Sequence, residues 1–131
     1  MDLTSNLRAP RSKQVLSAGA ITFGALLMTA SAAYAHDPAQ TDGDKYKVKF
    51  ENSRVRVLEY RDMPGQKTNE HRHPAFVLYA VSPFKRKITL PDGKVLMREF
   101  KAGDIMWSDD QTHIGENVGD TPTHVIMIEM K

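Results

Sequence analysis

From residue 46 onward the chain reads as short apolar–polar alternations broken by turn signals. "YKVKF" alternates, and so does "SRVRVLEYR", where Val55 and Val57 face one way and Arg54 and Arg56 the other. Side chains two apart share a face in a strand, so each pattern predicts one. "MPGQ" is a turn in which Pro64 sets φ ahead of Gly65. "AFVLYAV" has no polar break and predicts a strand buried on both faces. "KRKITL" and "KVLMREF" flank Pro91-Asp92-Gly93, which predicts a hairpin. "KAGD" is a further turn. The segments "IMW", "HIGENVG" and "HVIMIEM" follow, the first two divided by the polar loop "SDDQT". No capped segment of helical period appears in this part. About seven or eight short strands at this spacing predict an all-β antiparallel sandwich or barrel.

The first 35 residues follow a different pattern. Arg8, Arg11 and Lys13 precede the uncharged run "VLSAGAITFGALLMTASAAYA", which ends on the small-x-small pattern Ala33-Tyr34-Ala35. A positive start, an apolar middle and such an end predict a secretory signal peptide over 1–35, cleaved after Ala35. The expected location is periplasmic or secreted, with no membrane attachment once the leader is gone. The next stretch, 36–45, opens with "HDPAQTDGD" and is read as a flexible lead-in to a domain over 46–131.

Removing the leader also changes the electrostatics. The full chain has 18 Lys+Arg and 16 Asp+Glu; 18 less 3 and 16 less 1 leave 15 of each. The basic excess resides in the leader, so nucleic-acid binding has no electrostatic support. Cysteine is absent, which excludes disulfides, thiolate ligands and a cysteine nucleophile. A domain of this size without disulfides depends on its core, on self-association or on a metal.

Histidine carries the candidate chemistry. His71 and His73 lie two apart, so in a strand both imidazoles project to one face about 7 Å apart. Pro74 favours extended φ/ψ at His73. His113 opens a later strand after a polar loop, and strand starts can meet at one barrel mouth. Three imidazoles then form a site with open coordination positions, the arrangement of reactive rather than sealed metal centres. His124 shares parity with Ile126, Ile128 and Met130. With Glu129 outward it faces in, as a fourth ligand or the partner of one; a core or rim histidine is the plainer reading. Tyr79 shares the parity of His71 and His73 and is the candidate catalytic phenol, against the commoner core tyrosine. Glu70 and Arg72 have the opposite parity and are solvated. Phe76, Met97, Met106 and Trp107 read as core or cavity wall. His36, in the lead-in, would be a chance copper ligand at a new N-terminus. "KRK" at 85–87 reads as lysine protection of a sheet edge.

These residues carry a family resemblance. Gly65, His71 and His73 in "PGQKTNEHRH" resemble the first cupin motif, and Gly103, His113 and Asn117 in "GDIMWSDDQTHIGEN" resemble the second. The likeness spans 46–131 and is closest to small single-domain cupins, several of which lack the first-motif glutamate. It implies a double-stranded β-helix, or jelly-roll barrel, with the metal at one mouth. Here that glutamate position falls on Val77 or Leu78, neither able to ligate, and Ser108 and Asp110 replace the proline and glycine of the second motif. A three-histidine set without it is neutral, which suits Zn, Cu, Ni or Fe(II) and draws an anion to the open positions. The resemblance thus implies a metal-dependent, dioxygenase-like enzyme for a small anionic molecule. A non-catalytic metal or small-molecule binding module and a metal-free β-barrel stand as alternatives. Single-domain cupins often pair through sheet edges, so a homodimer is expected.

Overall fold

A computed structural model describes residues 36–131. The segment read as a leader therefore lies outside the described residues. A single helical turn, α1 (Pro38–Thr41), precedes nine strands: β1 (Tyr46–Glu51), β2 (Val55–Asp62), β3 (His71–His73), β4 (Phe76–Ala80), β5 (Phe84–Thr89), β6 (Val95–Phe100), β7 (Ile105–Ser108), β8 (Gln111–Asn117) and β9 (Thr123–Met130). They form a five-stranded sheet in the order β1-β2-β9-β4-β7 and a four-stranded sheet in the order β3-β8-β5-β6. Every pairing is antiparallel.

The core lies between the sheets. Tyr46, Leu58, Tyr60, Phe76, Leu78, Ala80, Phe84, Val125 and Met127 form one buried cluster, with Phe100 and Met106 packed against it. Each large side chain so buried contributes about 1.5–3 kcal/mol from apolar burial. The predicted hairpin is present: β5 and β6 pair from Phe84↔Phe100 to Thr89↔Val95, and the two rings stack at 4.8 Å. Gly65 and Gly103 have φ of +81° and +90°, with nothing within 4 Å of an added Cβ. Both motif glycines are therefore required by backbone conformation, not by space.

Three expectations are corrected here. The expected flexible lead-in is folded. Asp37 caps α1 by accepting from the Ala39 N–H at 3.0 Å, and Asp37, Pro38 and Asp42 are buried. The Arg72 N–H donates to the His36 carbonyl at 2.8 Å, and Asn69 donates through its backbone to Asp42 Oδ1 at 3.0 Å. Since β3 is an edge strand, this segment lies along its open side. The polar composition that suggested flexibility is used for capping and for ion pairs.

The second correction concerns β4. Phe76, Leu78 and Ala80 are buried, whereas Tyr79 is 43% exposed, so the strand is apolar on both faces but covered on one. The third concerns β5, which lies between β8 and β6 and is no edge. Arg86 shares the parity of Phe84 and Ile88 and is buried with them, while Lys85 and Lys87 pair outward with Glu99 and Glu116.

Candidate metal centre

The site begins with a strand pairing. His71 stands directly opposite His113 across β3 and β8, and His73 follows two residues along on the same face. Ring centroids are 4.8 Å apart for His71–His73, 4.7 Å for His71–His113 and 5.4 Å for His73–His113. One nitrogen of each imidazole lies within 4.8 Å of the other two. All three side chains are buried.

Burial and neighbouring imidazoles favour the neutral forms of His71 and His113. Burial first, then the neighbouring His73, depresses the His71 pKa to about 4. Burial, then His73 and His71, depresses His113 to about 2. Neutral imidazoles have lone pairs to offer, which metal ligation requires.

Hydrogen bonds decide which nitrogen faces the centre. His71 Nδ1 lies 2.8 Å from the Asn69 carbonyl, which can only accept, so Nδ1 carries the proton and Nε2 the lone pair. The Tyr46 hydroxyl then donates to that Nε2 at 3.2 Å. His73 Nδ1 lies 2.6 Å from Glu129 Oε1. Glu129 also accepts from Arg56 Nε at 2.6 Å, and Arg56 reaches Asp37 Oδ2 at 2.7 Å. Burial opposes the charge on Glu129, yet the hydrogen bonds from His73 and Arg56 outweigh it and hold its pKa below the usual value. His73 Nε2 and His113 Nδ1 are buried without a hydrogen-bond partner among the described residues.

A second buried network adjoins the first. Arg86 donates to Asp62 Oδ2 at 2.8 Å and to the Tyr60 hydroxyl at 2.9 Å, and Tyr60 donates to Asp62. The guanidinium lies against Gly115, where an added Cβ would meet it at 2.4–2.8 Å. Gly115 is thus required by space. Asn117, of the second motif, is buried and structural: its amide donates to Asp62 and to the Thr121 carbonyl, and it accepts from Gly119.

A cavity of about 110 Å³ opens beside the centre. Its wall is mostly apolar, including Phe76, Leu78, Phe84, Phe100 and Met106, and among the described residues no carboxylate lines it. His113 is the one member of the triad on that wall, and Tyr46 stands there too. Arg86 and Arg98 share the inner face as register partners. Arg86 is paired, but Arg98 makes no ion pair among the described residues.

The structure brings His71, His73 and His113 together as the sequence predicts. His124 is corrected: it lies on the outer face, 2.9 Å from Glu59 Oε1. Glu129 has the inward parity instead. Tyr79 is corrected as well, being outward and exposed. Chain segment Pro74-Ala75 carries the backbone from the four-stranded sheet into the five-stranded one, which breaks the parity counted from His71. Of the two positions for the motif glutamate, Leu78 is the inward one. Phe76 and Met106 line the cavity as expected, whereas Trp107 only borders it and is 56% exposed with the outward parity of β7, and Met97 is 61% exposed. Glu70 and Arg72 face away from the triad, and Arg72 pairs with Asp110. Sequence reasoning missed Tyr46, Glu129, Arg56 and Arg86. Only Arg86 had a signal, its shared parity with Phe84 and Ile88.

No protein-family model matches the chain, and no curated protein matches it. Solved structures do. A cupin domain from Bordetella pertussis Tohama I is 27% identical, covers 66% of this chain and 91% of its own, and superposes with a TM-score of 0.60. A conserved protein with a double-stranded β-helix domain from Klebsiella pneumoniae is 25% identical over 65% of this chain and 74% of its own, with a TM-score of 0.53. The polyketide cyclase RemF from Streptomyces resistomycificus shares the fold at 14% identity and a TM-score of 0.50, over 65% of this chain and 63% of its own.

 The chain is a small all-β protein with the cupin type of double-stranded β-helix fold, and three buried histidines lie close together within it.

Proposed function

We propose that this chain is an exported cupin in which His71, His73 and His113 hold one divalent transition metal, open to a cavity that admits a small anionic molecule. The observation that carries the reading is the convergence of three buried imidazoles, each with one nitrogen within 4.8 Å of the other two. His71 Nε2 has a lone pair to offer, and His73 Nε2 is buried with no partner among the described residues. Leaving such an atom unsatisfied costs about 1–3 kcal/mol, which a bound cation would relieve. Neutral imidazole suits Zn, Cu, Ni or Fe(II).

The anionic class of ligand is supported by Arg98, a cation on the cavity wall that makes no ion pair among the described residues. Small apolar groups fit the remainder of that wall.

His73 is oriented by Glu129, Arg56 and Asp37, and His71 by Asn69 and Tyr46. When bound, the metal would supply a Lewis acid and, if redox-active, a site for oxygen chemistry. The chain's own residues fix the ligands, exclude water with Phe76, Phe84 and Phe100, and present Arg98 to the incoming molecule. With no carboxylate among the described residues of the cavity wall, general-base hydrolysis is disfavoured. That same lack supports the second reading, a binding module without turnover. Oxygen consumption with small thiols or diketones separates the two.

Export with cleavage after Ala35 is supported by the apolar, uncharged run that precedes it; N-terminal sequencing of secreted protein should begin at His36. Self-association is supported by the exposed Tyr79, Ile105 and Trp107 at the β4–β7 edge of the five-stranded sheet. The metal assignment is tested by the metal content of protein purified without a histidine tag. About one equivalent is expected, falling below about a tenth in His71→Ala. Equal content in both proteins would remove the assignment.

A further inference from the structure

We infer that Tyr46 is the hydrogen-bond donor to the small ligand that occupies the open side of the metal centre, and so selects which ligands are accepted. The inference rests on the metal reading of the three histidines. Tyr46 opens β1, far in sequence from both histidine motifs, and its ring is 4% exposed. It is confined by Tyr60 at 4.4 Å, His71 at 5.2 Å and His73 at 5.6 Å between ring centroids. Swinging the hydroxyl away would require these rings to move.

The direction of its hydrogen bond follows from the neighbours. His71 Nδ1 is committed to the Asn69 carbonyl, so His71 Nε2 has only a lone pair, and Tyr46 must donate to it. That lone pair is the one His71 offers to a metal. Once it is given, the Tyr46 hydroxyl is left as a buried donor without an acceptor, a costly state. The adjacent Tyr60 hydroxyl is already engaged, donating to Asp62 and accepting from Arg86. The cavity offers the remaining direction, because Tyr46 and His113 both stand on its wall while His71 and His73 do not.

A ligand entering from the cavity thus meets the metal-binding end and the phenol together. The chemical class this favours is a compact anion with a further lone pair on or beside the bound atom, such as a carboxylate or azide. A donor whose neighbouring atoms carry no acceptor, such as imidazole, gains nothing from Tyr46.

The test uses copper(II)-loaded protein with His36→Ala, which removes chance copper binding at a new N-terminus. Azide and imidazole are titrated separately into this protein and its Tyr46→Phe variant, following the azide-to-copper absorption and the copper d–d bands. The expected result is equal copper content, azide binding weakened about tenfold or more in Tyr46→Phe, and imidazole binding unchanged. Azide affinity equal within twofold overturns the inference, as does an equal loss for both ligands. A phenolate-to-copper absorption that is present without azide and lost in Tyr46→Phe also overturns it, because Tyr46 is then itself a ligand. Protein that takes up no copper overturns the metal reading and this inference with it, and copper content reveals that before any azide is added.

Discussion

The inner and outer faces of the five-stranded sheet carry nearly the same kind of side chain. Val57, Ile128, Val77 and Trp107 stand in register across β2, β9, β4 and β7 on the outer face. The next row, Leu58, Met127, Leu78 and Met106, stands inward. Yet only the inner face carries a buried ionic system, in the row where Arg56 lies opposite Glu129 and Glu129 opposite Phe76. The outer face has a looser counterpart in His124 and Glu59, both about one-fifth exposed. One strand, β9, thus supplies a histidine–carboxylate contact to each face, through Glu129 inside and His124 outside. Burial decides their worth. A pair in water contributes little because solvent screens it, whereas breaking a buried pair leaves a charge that nothing else solvates.

The largest expected effect comes from the inner pair. Glu129→Ala strips the acceptor from His73 and Arg56 and should cost about 3 kcal/mol or more in urea unfolding. His124→Ala should cost less than about 1 kcal/mol in the same measurement. Comparable losses for the two would erase the distinction between the faces.

Acid should act on the same side of the sheet. The pKa values of His71 and His113 are depressed in the fold, to about 4 and about 2. The unfolded chain takes up their protons near pH 6.5. Their contribution is therefore fully present above about 6.5 and is lost as the pH falls toward those folded values. For metal-free protein, stability should drop between about pH 6.5 and 4 by about 1.4 kcal/mol per pH unit for each such histidine. His71→Gln should flatten this slope. An unaltered slope in His71→Gln would show that His71 is not held neutral by burial.

The smallest effect on folding should follow changes to the outer apolar row. Ile105, 70% exposed, can be replaced by Lys with a stability change within roughly 0.5 kcal/mol. If two copies meet at this edge, Ile105→Lys should convert a dimer to a monomer in sedimentation while leaving metal content alone. A particle of unchanged size would direct the search for self-association to another surface.

This likeness between faces also explains what could be read from residues alone. The strands, the hairpin and the triad were legible because turns and histidine spacing are local signals. His71 and His73 share parity within one strand, and the glycines at 65 and 103 fix the turns ahead of each motif. The inward residue of β9 was not legible. Val125 and Met127 alternate with Ile126 and Ile128, so hydrophobicity does not distinguish its faces, and His124 was placed inside in Glu129's stead. Tyr79 failed for another reason: the chain changes sheets at Pro74-Ala75, and parity does not survive that step. Tyr46 is joined to His71 only by tertiary contact, and no spacing along the chain announces it.

The central claim is that three inward histidines, and not His124, form a metal centre. Calorimetric titration of metal-stripped protein with Zn(II) tests it most directly. The account predicts one equivalent bound in the wild type and in His124→Ala, with affinity at least about a hundredfold lower in His113→Ala. Undiminished binding in His113→Ala, or its loss in His124→Ala, would contradict it.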